Sequence, residues 1–525
     1  MSARRFRGSI ATAVLLSVAL RIPFLTTPLN ADEGGYATIA VQWARGARLY
    51  HDVWVDRPQA MLVLYRLTFA TLGVHPWAVR LVAAIWAAGG VLAVAAAGRS
   101  LGGRRVGAVA AFVFALASAT PRAEGFAANG ELLAAVPSAA CVALALGGVQ
   151  RLRRGSPPAS APAPAGVAAS QSAPSAARRT DRRAGLLVAA GASGGLAVTM
   201  KQSGFDGALA VGVWLAVAGL RRWLSWRALA RAAVPLGAGA AAVLGVAVLH
   251  GSTVGLDAWW FAVVGERSSR QSVWVGSLGD RAARLWRMTR ILWPVLTGGA
   301  VLLAAGLLGR RDQRDAAAGG DGRFPGVGLL VGAWLAAALA GFAVGGLFHP
   351  HYVIGLAPSF SVAAALALRR AARRRPALAG GAVAVALGLF IVSSWPALSA
   401  SSAAERSRRS TADWRVLTDE RVGAYIRAHT APGEGIYAMY ANAGLYFAAD
   451  RRPVSPYLWG LNLEQVPGAT EQLAAAFAGD DPPRYVARYF PVDALPGADS
   501  IAASLARRYR EETVIDGVTL YRLVD

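Results

Sequence analysis

Residues 1–36, MSARRFRGSIATAVLLSVALRIPFLTTPLNADEGGY, set how the rest of the chain is read. Arg4, Arg5 and Arg7 precede an apolar run, Gly8–Leu25, and two adjacent carboxylates, Asp32 and Glu33, follow it ahead of a Gly pair and Tyr36. A basic flank, an apolar stretch approaching the ~20 residues that cross a hydrocarbon core, and a polar loop make up a first transmembrane helix. The basic start also suits a signal peptide. No small-residue cleavage pattern precedes Asn30, however, and further spans follow, so Met1–Leu25 reads as an uncleaved helix.

The same pattern repeats along the chain. Apolar runs fall at Gly8–Leu25, Pro76–Ala97, Val106–Ala119, Leu132–Val149, Gly185–Met200, Phe205–Leu220, Ala232–Leu249, Ile291–Leu308, Gly326–Leu347, Tyr352–Leu368 and Leu378–Trp395. That is about eleven spans, two of them short enough to require tilt or a thinned bilayer. Met61–Gly73 is apolar but brief, and suits a helix lying at the interface. With the N-terminus inside, every inside loop is arginine-rich: Arg99 to Arg105, Arg151 to Arg183, Arg221 to Arg231, Arg310 to Arg314 and Arg369 to Arg375. The short outside loops carry little more than Arg122 and Lys201. The positive-inside rule thus places the N-terminus inside and the C-terminus outside.

Composition agrees. Of 525 residues, 55% are hydrophobic and 16% charged, where soluble chains carry roughly 25% charged residues. Mean hydropathy is +0.40. The net charge of +24, from 54 basic and 30 acidic side chains, belongs to a nucleic-acid partner or a membrane surface. Because the arginines cluster between apolar runs, the membrane is the partner and nucleic acid is not. Cys141 is the single cysteine, so no intrachain disulfide forms. Arginine and alanine dominate and Lys201 is the only lysine, a bias of GC-rich bacterial genomes. The expected setting is a bacterial inner membrane.

Three segments stand apart. The Pro/Ala/Ser-rich linker Gly155–Ala177 reads as a disordered cytoplasmic loop. The first outside loop, residues 26–75, carries most of the unusual chemistry. Residues 401–525 lose the long apolar runs and alternate a helix-like stretch, Thr418–His429, with strand-like Gly435–Tyr440, Arg484–Arg488 and Thr513–Leu523. The expected organisation is an α-helical polytopic membrane domain over residues 1–400 and a small α/β extracytoplasmic domain over 401–525.

The candidate chemistry gathers in the outside loops. An acid beside a membrane surface takes a proton from an acceptor hydroxyl when the other substrate is lipid-linked; Asp32 or Glu33 fits that role, and either also fits a cap on the helix-like stretch Tyr36–Arg45. Arg57, in Asp56-Arg57-Pro58, matches phosphate oxygens bidentately or simply sits in a turn. Glu131, opening the fourth span, is a helix-dipole partner or a second active-site acid. Lys201, on the same side as Asp32, holds a phosphate or snorkels to water. His349, His351 and Tyr352 contact a phosphate or sugar, or form a polar turn at Pro350; two histidines alone are too few for a metal site. Trp259, Trp260, Trp274, Trp286 and Trp293 crowd the outside loop before the eighth span as an aromatic belt. No phosphate-binding loop, paired-glycine nucleotide fingerprint or zinc-helix motif occurs.

Taken in order, these motifs resemble the C-type integral-membrane glycosyltransferases, specifically the dolichyl-phosphate-mannose protein mannosyltransferase-like group that includes the bacterial lipid A aminoarabinose transferases. The resemblance rests on Asp32-Glu33 with Tyr36, Asp56-Arg57-Pro58 where relatives often carry Lys-Pro-Pro, Glu131, the Thr199–Lys201 stretch and His351-Tyr352. In the tail it rests on Tyr440, Asn442 to Tyr446 and Arg451-Arg452-Pro453. It implies a helical bundle under interface helices and an inverting sugar transfer from a polyprenyl-phosphate donor to an unknown extracytoplasmic acceptor. Asp32 would be the base, Glu33 a helper or cap, and Glu131 a second acid or metal contact. Tyr36, Arg57, Lys201, His349, His351 and Tyr352 would bind substrate, the donor phosphate chiefly. Members with and without a divalent metal both exist, so the resemblance admits a metal without requiring one. A transporter or flippase of lipid-linked glycans, the competing class, would place its ionisable residues midway through the spans. A polymerase or ligase of the O-antigen type would concentrate Arg and His in a large late outside loop. Here the unusual acids lie at loop ends.

Overall fold

Glycine decides where the second membrane-length helix turns back. Pro76–Gly102 and Arg104–Ala117 are joined by Gly103 alone, whose φ of +82° lies in the region that a side chain disfavours. The two helices then run antiparallel in close contact: a Cβ on Gly107 would stand 2.6 Å from the Ala95 carbonyl oxygen. The computed structural model describes residues 1–154, 173–266, 276–308, 324–411, 413–440, 442–494 and 497–524, with side chains described for all but 154 and 173–182.

Among the described residues nine helices are long and apolar enough to cross a membrane: Ala3–Phe24, Pro76–Gly102, Gly130–Arg153, Arg183–Met200, Trp226–Val254, Leu278–Leu308, Val327–Val344, Pro350–Arg374 and Pro376–Leu398. The chain is a multi-pass membrane protein. Two other expected spans form shorter helices, Arg104–Ala117 and Asp206–Leu220, of 14 and 15 residues. At 1.5 Å per residue each is roughly 21–23 Å long, short of a ~30 Å hydrocarbon core. The brief apolar segment expected at the interface is the helix Gln59–Leu72.

The C-terminal part carries a five-stranded sheet: β1 (Gly435–Met439), β2 (Arg452–Pro453), β3 (Tyr485–Arg488), β4 (Tyr509–Ile515) and β5 (Val518–Leu523), in the order β2-β1-β3-β5-β4. β1 pairs parallel with β2 and β3, and β5 pairs antiparallel with β3 and β4. Every residue of β1 is buried, as befits a strand covered on both faces. The single strand expected over Thr513–Leu523 is instead a hairpin. Asp516 and Gly517 both adopt positive φ, +51° and +82°, the two-residue turn that Asp-Gly favours. The expected helix Thr418–His429 spans Arg415–Ala428.

Two further readings need correction. Of the linker 155–177, residues 155–172 lie outside the described residues, but 173–177 begin the helix Ala173–Met200; alanine and arginine there are good helix formers. The tryptophans are not one loop cluster. Trp286 and Trp293 lie within the helix Leu278–Leu308 and are 65% and 53% exposed, whereas Trp259 is buried and donates to Gln59 at 3.0 Å. Trp274, like the basic stretch Arg310–Arg314, lies outside the described residues.

The sheet region is packed onto the first loop. One continuous buried cluster runs from Tyr36, Ile39, Val53 and Trp54 into Ile436, Leu445 and Leu458. The Trp54 amide donates to the Pro456 carbonyl at 3.0 Å. This seam fixes Asp32 with respect to both halves of the chain.

Candidate functional site

The site is built outward from the helix Ala31–Ala44. Asn30 is its N-cap: Asn30 Oδ1 accepts from the Glu33 amide at 2.8 Å, and the Glu33 carboxylate reaches back to the Asn30 amide, completing a capping box. Glu33 is fully buried, ion-paired with Arg80 at 2.8 Å and accepting from the Ala128 amide at 2.9 Å. Burial raises its carboxyl above the usual carboxylate range, and Arg80 offsets only part of the rise. Arg80 is itself buried, donates to the Pro28 carbonyl at 2.8 Å and lies over the Phe126 ring. Glu33 thus ties its helix to Pro76–Gly102 and to the segment before Gly130, with no exposed surface of its own.

Asp32, one residue earlier, points the other way. It is only part-buried and accepts from Trp459 Nε1 at 3.2 Å. Gly34 and Gly35 make this contact possible. A Cβ on Gly34 would lie 2.6 Å from Gly444 Cα, and one on Gly35 would meet the Trp459 ring. The Gly pair of the sequence is therefore the place where the first-loop helix crosses the helix Ala443–Ala449.

Asp32 lines a cavity of about 790 Å³, together with Arg122, Glu124, His349, His351, Asp413 and Arg415. Glu124 sits in a left-handed turn with φ of +52° and accepts from Asn30 Nδ2 at 2.9 Å. His351 Nδ1 stands 3.4 Å from it. Burial would raise the Glu124 carboxyl, but the His351 contact and the nearby cations hold it below the usual carboxylate range. Burial first, and then His351, lowers His349, against the pull of Asp32, Glu124 and Glu131.

A second cavity, of about 620 Å³, is lined largely by apolar side chains, with Glu131, Lys201, Gln202, Asp206 and Tyr352 among its polar groups. Glu131 lies in the first turn of Gly130–Arg154, which Asn129 caps by accepting from the Leu132 amide at 2.9 Å. Glu131 pairs with Lys201, whose Nζ lies 4.5 Å from the centre of the Tyr352 ring. His351 Nε2 is 3.9 Å from Glu131. One imidazole thus faces an acid of each cavity. The histidine segment is no broken turn: Pro350 opens a short 3₁₀ helix, Pro350–Leu356. His349, its N-cap, stacks on His351, and Tyr352 meets both rings edge-on, with ring centres 5.1–5.5 Å apart.

Arg57 lies between the two groups. Its guanidinium bonds Asp56 at 2.7 Å, and Gln202 holds the Asp56 carbonyl at 2.7 Å. Burial opposes the Arg57 charge, but Asp56 and, more weakly, Asp32 raise its pKa well above the ordinary arginine value. Tyr36 is buried against Tyr65 and Trp459, within electrostatic reach of Arg57 and Asp32.

The structure therefore gathers Asp32, Tyr36, Arg57, Glu131, Lys201, His349, His351 and Tyr352 at one end of the bundle and seals Glu33 away from it. Among the described residues no three His, Cys, Asp or Glu side chains converge closely enough to hold a metal. Glu131 is engaged by Lys201 and Glu124 by Asn30, so this donor set does not form a metal cage. Sequence reasoning passed over Glu124, Arg80, Trp459 and the Asp413–Arg415 pair. Arg80 did carry a signal: an ionisable residue within an otherwise apolar run. Trp459 carried none, being 427 positions from Asp32.

A helical membrane bundle under an α/β sheet domain is a fold that this chain shares with solved structures. Two proteins are among them. The first is ArnT from Cupriavidus metallidurans, crystallised bound to undecaprenyl phosphate: TM-score 0.63, 15% identity, 100% of this chain and 99% of that one covered. The second is the oligosaccharyltransferase AglB from Archaeoglobus fulgidus, in complex with an inhibitory peptide and a dolichol-phosphate: TM-score 0.54, 15% identity, 92% and 69% covered. The Archaeoglobus enzyme was also crystallised with Zn and sulfate: TM-score 0.55, 14% identity, 91% and 67% covered. No family model and no curated protein matches the sequence. At these identities the likeness is one of fold.

Proposed function

We propose that the chain is a glycosyltransferase that moves a sugar from a polyprenyl-phosphate donor to an acceptor hydroxyl outside a bacterial inner membrane. The observation that carries this reading is the pair of cavities meeting at His351. One is polar and holds Asp32; the other is apolar and ends at Lys201. A prenyl chain suits the apolar cavity, with its phosphate among Lys201, Arg57 and the histidines. The acceptor enters the polar cavity. The carriers named for the two neighbouring structures, undecaprenyl phosphate and dolichol-phosphate, are of this class.

In this reading Asp32 takes the acceptor hydroxyl proton as the acceptor oxygen bonds to the anomeric carbon. The bond from that carbon to the phosphate oxygen breaks, and its electron pair leaves on polyprenyl phosphate. Attack opposite the leaving group inverts the anomeric centre. Arg57 and Lys201 offset the negative charge growing on the phosphate, where low dielectric makes such contacts strong. Trp459 and the Gly34–Gly444 crossing orient the base. The reading also carries the N-inside, C-outside orientation and the division into residues 1–400 and 401–525. A flippase is disfavoured because the site's acids gather at one end of the bundle.

The test is donor choice. Purified protein in vesicles with envelope-derived acceptors is given labelled polyprenyl-phosphate sugars or labelled nucleotide sugars. Transfer from the lipid-linked donor alone supports the proposal, and transfer from the nucleotide sugar alone overturns it.

A further inference from the structure

At the end of the bundle far from Asp32 lies a third and larger cavity, of about 1350 Å³. The helix Pro76–Gly102 measures the separation. Arg80, near its start, grips Glu33, and after its 27 residues Arg104 follows at the other end, roughly 36 Å away at 1.5 Å per residue. The cavity opens between the helices Ala3–Ala19, Arg104–Ala117, Leu278–Leu308, Ala357–Arg374 and Pro376–Leu398. Its walls are apolar and include Phe112, Val113, Leu302, Phe360 and Phe390. Its rim carries Arg104, Arg105, Arg369 and Arg373, of which Arg369 donates to the Gly102 carbonyl, and among the described residues no acidic one lines it.

We propose that this cavity binds an anionic diacyl phospholipid from the leaflet at that end of the bundle. Among the described residues the charge is one-sided: Arg104, Arg105 and Arg373 line the rim and no carboxylate does. Guanidinium matches phosphate oxygens bidentately, and basic pockets between transmembrane helices are where anionic headgroups dock. The depth fits an acyl chain. From Arg105 to Ala117 the groove follows one helix for roughly 18 Å, a little more than the ~15 Å half-thickness of a hydrocarbon core. The short helix Arg104–Ala117 explains why a groove exists here, since its 14 residues do not span the core and lipid fills the remainder. A soluble anion would meet the arginines but have no use for the apolar walls, and a neutral lipid would use the walls but not the arginines. The site is remote from Asp32 and does not depend on the sugar-transfer reading.

Full-length protein is exchanged into nanodiscs or detergent, and bound lipid is counted by native mass spectrometry with phosphatidylglycerol and phosphatidylcholine in competition. Wild type is expected to retain phosphatidylglycerol preferentially. Arg105→Gln with Arg373→Gln, both exposed rim residues, should weaken that preference about tenfold, in keeping with headgroup contacts of this kind. Leu387→Trp, which fills the groove and leaves the rim intact, should lose the tightly held lipid altogether. Melting temperature in lipid-free detergent verifies that each variant is folded. Equal retention of the two lipids by wild type overturns the proposal, as does an unchanged preference in the double variant. Displacement of phosphatidylglycerol by equimolar polyprenyl phosphate would reassign the cavity to the carrier lipid, and likewise overturns it.

Discussion

Replacing Gly34 by alanine tests how Asp32, the proposed base, is positioned, because the obstruction is backbone and cannot rotate aside. The new Cβ would stand 2.6 Å from Gly444 Cα, where ordinary contact begins at 3.4 Å. The first-loop helix and the helix Ala443–Ala449 must part by at least about 0.8 Å. Asp32 lies two residues before Gly34 and Trp459 approaches it from the far side of the seam, so the parting falls on their 3.2 Å hydrogen bond. A misplacement near 1 Å costs about 10²-fold in a positioned reaction. The propensity term runs the other way: alanine favours a helix over glycine by about 1 kcal/mol, so any net destabilisation must come from the crossing, where overpacking costs about 1–3 kcal/mol. The assay is sugar transfer in vesicles at saturating donor, with melting temperature measured in parallel. Gly212→Ala, a helical position with nothing within 4 Å of its Cβ, serves as control and should match wild type. Gly34→Ala is expected to lower kcat about 10²-fold with a modest fall in melting temperature. A Gly34→Ala enzyme with wild-type kcat would refute the crossing as what positions Asp32.

Two other perturbations follow from the same contacts. Lys201→Met leaves buried Glu131 with only the more distant His351, 3.9 Å away, as an ion partner and should cost about 3 kcal/mol of stability as well as transfer. Adding Glu131→Gln should restore the melting temperature but not the activity, and a double variant that regains transfer would remove Lys201 from the phosphate site. Asp419 is buried between Asn442 and Tyr489, behind Gly444, and burial chiefly pushes its carboxyl up to about 8. Between pH 4 and 8 the folded protein holds a proton that the unfolded chain releases, so this group's contribution to stability falls as pH rises and levels off above 8. Asp419→Asn should flatten the melting-temperature profile across that window, and an unchanged slope would show the titration lies elsewhere.

Much of this architecture is legible in the sequence because the bilayer imposes a simple rule: long apolar runs, with arginines at their ends, must be helices. The helix Ala31–Ala44 could be anticipated from its acids and Gly pair, although the cap is Asn30 and neither carboxylate. What the sequence hides is partner choice over long separations. Asp32 and Glu33 are adjacent and chemically alike, yet a helix turns successive residues by about 100°, so one faces a cavity while the other is locked to Arg80. Trp459 over Asp32 and Glu124 beside His351 depend on how the sheet region seats on the loop, and no local spacing encodes that. The hairpin at Asp516-Gly517 was readable from its turn chemistry and was missed only because the apolar alternation runs on through it.

Asp32 as the base is most directly tested by single-turnover transfer with Asp32→Asn, alongside binding of the polyprenyl-phosphate donor to the same preparation. The amide keeps the shape of the side chain and its bond from Trp459 but cannot take a proton. Donor affinity within about threefold of wild type, with a transfer rate lowered about 10²–10⁴-fold, is the predicted result. A wild-type transfer rate from the folded, donor-binding variant would contradict it.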